Sequence, residues 1–166
     1  MPLLTSHKDC LQKLKEIRDD FSKVMEEQME KMWAAKLGID IFQPKLFNEL
    51  VTLMVQTAVD YTIFFRELSN IPDDIVALTK SFYVDKSTQL NEEWKNWLIA
   101  WRKLVIQDHN QEEVSMKMKQ VNPKFTWREW LIVPAYERAQ QGDYSLVKEL
   151  QEVFSHPYEE QSQAIE

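Results

Sequence analysis

Apolar residues recur every three or four positions along most of this chain. That is the spacing of one helix face, and no segment shows the strict alternation of a half-buried strand. The first stripe is Cys10, Leu14, Ile17, Phe21 and Val24, widened toward its end by Met25, Met29, Met32 and Trp33. It predicts an amphipathic helix from about Ser6 to Lys36, opened by an S-x-x-D start at Ser6 and Asp9 and closed by Gly38. The pattern fits one continuous helix or a break near Asp19-Asp20, and its apolar face is expected to pack into the core. Pro44 opens a second helix whose broad face runs from Leu46 through Leu50, Met54, Tyr61 and Phe65 to Leu68.

Asn70, Pro72, Asp73 and Asp74 mark a short third helix ending near Phe82, and residues 83–90 read as a loop. Asn91 is the expected cap of a fourth helix with Trp94, Trp97, Leu98, Trp101, Leu104 and Val105 on its buried face. Three tryptophans at this spacing could form a base or sugar platform. Their alternation with leucine in a complete stripe favours packing. Asn110 and Glu113 start the next helix, which should end before Asn122-Pro123 because a residue preceding proline avoids the α region. Thr126 and Glu129 form a T-x-x-E start for another, with Trp127, Trp130, Leu131 and Ala135 on its apolar faces. Pro134 inside it predicts a kink or early break, and Gly142 ends it. Ser145 is the expected cap of the last helix, whose inner face is Leu146, Val147, Leu150, Val153 and Phe154 and whose stop is Pro157. The sum is an all-α fold, an irregular bundle of six to seven helices in one domain over residues 1–158, with 159–166 as a disordered tail.

Composition supports the helical assignment through one outlier. Only two of the 166 residues are glycine, Gly38 and Gly142, where ordinary usage would give roughly a dozen. Phosphate-cradling loops, bulges and tight hairpins need the backbone freedom that glycine supplies. Net charge is −7, which argues against nucleic acid as a partner. No apolar run reaches the length of a membrane span. Cys10 is the only cysteine, so the chain has no internal disulfide and no cysteine zinc cluster. A reducing cytoplasm fits that usage.

Candidate chemistry is thin. His7, His109 and His156 are far apart and in no zinc-ligand spacing. Cys10 lies on an apolar stripe, where a thiol is expected to be buried and inert. Adjacent carboxylates such as Asp73-Asp74 and Glu92-Glu93 point about a hundred degrees apart on a helix and do not converge on one atom. There is no Walker loop, no G-x-G-x-x-G, and no H-R-D or D-F-G triplet. Residue types and spacing therefore nominate no catalytic, cofactor-binding or metal-binding residue in this chain.

The stretch from Met118 to Glu160 carries a different signal. "VNPKF" at Val121 to Phe125, "GDYS" at Gly142 to Ser145 and "HPY" at His156 to Tyr158 resemble the C-terminal end of the selenoprotein O (SelO) family. Collinear segments agree: "MWAAKLGI" at Met32 to Ile39, "FNELVTLM" at Phe47 to Met54, "DYTIFFRELS" at Asp60 to Ser69 and "WLIAWRKLV" at Trp97 to Val105. The resemblance implies a protein-kinase-like (pseudokinase) fold that binds ATP with Mg²⁺ or Mn²⁺ and transfers AMP to Ser, Thr or Tyr hydroxyls of proteins. It also implies a cytoplasmic location, or a mitochondrial one in a eukaryote. Such transfer needs metal and basic groups on the polyphosphate and a base near the acceptor. In the family these lie upstream of the part matched here.

What carries over onto this sequence is a family signature, Asn122, Pro123, Lys124, Gly142 and Asp143, with a structural or core-contacting role. Pro134 departs from the pattern, since the family usually has a helix former there. Family members also commonly extend into a tail with a redox-active cysteine or selenocysteine, which this sequence lacks. The resemblance thus implies a C-terminal piece, inactive alone, whose partner is the kinase-like catalytic core in the same or a separate chain. Apolar surface left without that core would favour a homodimer. The alternatives are a free-standing helical interaction module and an independent enzyme with an unrecognised site.

Overall fold

The long first stripe forms a single helix, α1 (Lys8–Leu37), with no break at Asp19-Asp20. The computed structural model describes residues 8–106 and 110–161, so the expected Ser6 cap lies outside the described residues. Six further α-helices follow: α2 (Pro44–Thr57), α3 (Tyr61–Leu68), α4 (Thr88–Ile106), α5 (Gln111–Val121), α6 (Glu129–Gln140) and α7 (Ser145–Ser155), with a 3₁₀ segment at Ile75–Ser81 between α3 and α4. Among the described residues the only β pairing is an isolated bridge between Val59 and Phe82. The fold is all-α.

The core is built from α2, α3 and α4, closed by the end of α1 and one face of α5. Leu37, Leu50, Phe64, Leu68, Leu78, Trp94, Trp101 and Met118 are wholly shielded from solvent. Trp97 and Trp101 stack with rings 7° apart, and both indole N–H groups are used: Trp97 donates to the Leu46 carbonyl and Trp101 to the Leu37 carbonyl at 2.8 Å. The tryptophan stripe is therefore packing, as its alternation with leucine indicates. Leu104, expected inside with it, is 39% exposed.

The expected burial of the α1 stripe is overturned. Leu14, Ile17, Phe21, Val24, Met25, Met29 and Met32 are all exposed, and the described helix enters the core only near Trp33, Ala34 and Leu37. Cys10, expected to be buried, is exposed too. Periodicity reports which face of a helix is apolar and says nothing of what covers it.

The second predicted helix is two. Ala58 takes a left-handed conformation (φ 47°) and its N–H returns to the Met54 carbonyl, closing α2. Asp60 then starts α3 by accepting from the Ile63 N–H at 3.0 Å, while its own N–H bonds the Ser81 carbonyl at 2.7 Å. This corner leaves the apolar spacing nearly in phase, so the stripe reads through it.

Several helix starts also move. α4 begins three residues before Asn91, with the Ser87 hydroxyl accepting from the Leu90 N–H. Asn110 does start α5, through a bond from the Glu112 N–H. Thr126 does not cap α6, which begins after Arg128 without a side-chain cap because the segment before it is pinned elsewhere. α6 runs unbroken through Pro134. The bond Pro134 removes would go to the Trp130 carbonyl, in an exposed first turn where water can serve. Asp143, not Ser145, supplies the bond at the start of α7, accepting from the Ser145 N–H at 2.9 Å.

Candidate functional site

The signature residues separate into two places. Gly142 and Asp143 form the exposed turn at the tip of the α6–α7 hairpin. Gly142 has φ 86° with open space around it, and Asp143 has its pKa lowered first by the Ser145 hydroxyl and then by the Ser145 N–H. Among the described residues the turn is met only by its own hairpin, through Arg138, Ala139 and Ser145, and local backbone geometry accounts for both residues.

Asn122, Pro123 and Lys124 lie at the other end of the hairpin and belong to a dense polar clasp. Asn122 is fully buried. Its Nδ2 donates to the Lys36 carbonyl at 2.9 Å and to Ser69 Oγ at 3.0 Å, while its Oδ1 accepts from Lys36 Nζ at 3.1 Å. Its own N–H closes α5 on the Met118 carbonyl, and its carbonyl accepts from Arg66 Nη1 at 3.0 Å. An asparagine amide offers two donors and an acceptor, and each finds a partner here. Burying such a group costs free energy unless it is paired, so this pairing ties the ends of α1 and α5 to α3 in one arrangement. Pro123 brings no N–H to the crowded junction and prevents α5 from continuing.

Lys124 extends the clasp outward. Its N–H and that of Phe125 both donate to the Pro157 carbonyl, at 2.8 and 3.2 Å, clamping the base of the hairpin. Its Nζ lies 2.6 Å from Glu160 Oε2, and Glu160 Oε1 lies 2.6 Å from Arg66 Nη2. The Arg66 side chain is only 9% exposed, and the Lys119 carbonyl also accepts from it. Held first by Lys124 and then by Arg66, Glu160 has its pKa pulled down to about 2. Lys36 has its pKa lowered by burial, and its ammonium also lies 5.3 Å from the centre of the Phe65 ring. Glu160 falls in the segment expected to be a tail. Glu159–Gln161 are described, and the remaining tail residues lie outside the described ones.

A second polar cluster sits where the hairpin meets the α2–α3 corner. Arg128 Nη2 lies 2.7 Å from Asp60 Oδ1, and the Tyr83 hydroxyl donates to Asp60 Oδ2. Burial would raise the Asp60 pKa, but Arg128, the Ile63 N–H and Tyr83 outweigh it and hold the group below its ordinary value.

Lys36, Asp60, Arg66, Ser69, Tyr83, Arg128 and Glu160 were not nominated by pattern. The available signals were Asp60, in a cap position before Tyr-Thr-Ile, and Arg66, set among Phe64, Phe65 and Leu68 where a guanidinium needs partners.

Chemically the clasp holds rather than reacts. Its one carboxylate is neutralised by two cations, and its amide is saturated. Among the described residues no group of three or more His, Cys, Asp or Glu side chains is placed to hold a metal ion. His156 faces Glu159 at 3.4 Å, and His7 and His109 lie outside the described residues. A surface groove of about 810 Å³ between α2 and α4 is open and lined by Lys45, Asn48, Glu49, Thr52, Gln56 and Trp97 among others. No described helix is long and apolar enough to cross a membrane.

These features define a helical bundle whose polar clusters serve to fix helices against one another. The chain belongs to the protein adenylyltransferase SelO family, whose model matches residues 3–155. It is 36% identical over 151 residues to the protein nucleotidyltransferase YdiU of Aromatoleum aromaticum, covering 86% of this chain and 29% of that protein. The YdiU protein of Tolumonas auensis is 34% identical over 150 residues, with 86% and 29% covered. That of Pseudomonas aeruginosa is 37% identical over 118 residues, with 70% and 23% covered. The chain thus spans less than a third of the length of these relatives.

Proposed function

We propose that this chain is the helical C-terminal region of a SelO-type protein adenylyltransferase. It buttresses a kinase-like core that carries the nucleotide site, and it transfers no AMP by itself. The observation that carries this reading is the family match over residues 3–155 in a chain that spans under a third of its relatives. The clasp supports it, since the most distinctive signature residues are spent on internal bonds. In the complete assembly ATP with Mg²⁺ or Mn²⁺ would be the cofactors, protein hydroxyls the acceptors, and the cytoplasm (mitochondria in a eukaryote) the location.

Incubation with labelled ATP, Mg²⁺ or Mn²⁺ and mixed protein acceptors tests the claim. No label should appear on this chain or on acceptors. Supplying the remainder of a family member should restore transfer and protect part of the surface of this chain from hydrogen exchange. Robust labelling by the chain alone would sink the proposal. A second reading, a free-standing helical interaction module, is favoured by the exposed apolar stripe of α1. Failure of any core to bind, with a different protein bound instead, would select it.

A further inference from the structure

We infer that α1 pairs with α1 of a second copy as an antiparallel coiled coil, making this chain a symmetric dimer. The inference goes beyond the proposed function and does not rest on it. α1 has 30 residues, a rod of about 45 Å. Ile17 is 64% and Phe21 63% exposed, at the middle of a face that leaves Leu14 and Val24 open as well. Cys10, Leu14, Ile17, Phe21 and Val24 follow the alternating four- and three-residue spacing of a coiled-coil seam. An amphipathic helix held to its own domain only by its last turns needs another surface to cover such a face.

Charge along the helix selects the partner and its direction. From residue 10 to 18 there are three cations (Lys13, Lys15, Arg18) and one anion (Glu16), a net of +2. From residue 19 to 30 there is one cation (Lys23) against five anions (Asp19, Asp20, Glu26, Glu27, Glu30), a net of −4. A second copy running antiparallel lays each basic half on the other's acidic half. A parallel copy lays like on like. Centring the pair between Ile17 and Phe21 sets Leu14 against Val24 of the second copy and Lys13 near its Glu27. It also sends the two globular bodies to opposite ends of the rod. The contact is isologous and closes at two chains.

Sedimentation equilibrium should give about twice 19.8 kDa, and Phe21→Glu should return the mass to that of one chain. Trp130→Ala, on the exposed face of α6, should leave the dimer intact. Cys10 reports direction. In the antiparallel pair the two Cys10 thiols are roughly 27 Å apart, so copper-phenanthroline should not cross-link the unaltered chain. Gln28→Cys, opposite Cys10, should give a covalent dimer. Cross-linking through Cys10 alone, or a dimer lost on Trp130→Ala and kept on Phe21→Glu, would overturn the inference. So would a monomer at high concentration whose α1 face becomes protected only on adding the remainder of a family member, which would assign that face to the catalytic core.

Discussion

Arg66 and Glu160 meet at 2.6 Å across 94 residues of sequence, joining α3 to the segment that follows α7. The carboxylate is 64% exposed, so solvent discounts the pair to about 1 kcal/mol even though Lys124 shares it. The folded-state pKa of Glu160, about 2, lies below the ordinary 4.5. The stabilisation is therefore full above the ordinary value and is lost as pH falls through the folded one. Glu160→Gln should lower stability to urea by about 1 kcal/mol at neutral pH. By pH ~3 the gap between the two proteins should shrink to less than half, most of the titration then lying behind it. A gap that stays constant from neutral to acid pH would show that charge is not the source.

Asn122 should be the most sensitive polar position in the chain. Asn122→Ala leaves the Lys36 carbonyl and Ser69 Oγ without the amide donor and takes one acceptor from Lys36 Nζ, which keeps only the Val121 carbonyl at 3.3 Å. The expected cost is about 3 kcal/mol in denaturant unfolding. Asn122→Asp keeps the acceptor but loses both donors, and it should also destabilise. A loss under about 1 kcal/mol for the alanine variant would mean that the clasp is not a stability element.

The helices were legible because each carries a full apolar stripe or a terminal signal that local chemistry dictates. Asn110, Gly38, Gly142 and Pro157 all sit at the ends they mark. The corner at Ala58 was not legible, because Thr57 to Asp60 keep the apolar phase while the backbone turns. Exposure of the α1 face was not legible either, since burial depends on what the chain meets in three dimensions. The clasp was half legible. "VNPK" stood out as a label, but its partners Lys36 and Glu160 lie 86 residues before Asn122 and 36 after Lys124, and no local spacing pairs either with it. Long-range polar pairing has no period for a sequence pattern to show.

The two glycines should respond differently to the same change. At Gly38 (φ 65°) a Cβ would stand 2.5 Å from Met118 Sδ and 2.9 Å from Val114 Cγ1, both on α5. At Gly142 (φ 86°) it would meet nothing within 4 Å. Gly142→Ala should cost only the left-handed strain, about 1 kcal/mol. Gly38→Ala adds overpacking and should cost about 3 kcal/mol or more. Equal losses in thermal unfolding would show that the α1–α5 contact gives way freely.

Trp94 and Trp101 are both fully buried, yet only one uses its N–H. The Trp101 indole donates to the Leu37 carbonyl at 2.8 Å, whereas the Trp94 indole has no partner among the described residues. Replacement by phenylalanine leaves a similar void at each. Trp101→Phe also strands a buried carbonyl, and Trp94→Phe removes an unpaired donor. Trp101→Phe should therefore be the worse of the two by about 1–2 kcal/mol. The reverse order would mean that the Trp94 N–H finds a partner in solution.

Asp60 does two jobs that substitution can separate. It caps α3 through the Ile63 N–H, and it anchors the hairpin through Arg128. The Asp60→Asn variant retains a capping oxygen and loses the charge. Arg128→Ala removes the anchor and leaves the cap. The buried carboxylate would then stand against Tyr83 and one N–H with no cation, so Arg128→Ala should cost more, about 2–3 kcal/mol, than Asp60→Asn at about 1–2 kcal/mol. The Asp60 pKa is lowered in the folded protein, so its stabilisation is present above the ordinary carboxylate range and fades as pH falls through the folded value. Arg128→Ala should weaken that acid dependence, leaving only the Ile63 N–H and Tyr83 to oppose burial. Without the anchor the hairpin remains tied by the Pro157 carbonyl bonds and by Glu160, so combining Arg128→Ala with Glu160→Gln should open it selectively. Limited proteolysis should then cut between residues 123 and 128 first while the tryptophan core stays folded. Loss of the core and the hairpin in one step would show that the hairpin has no independent hinge.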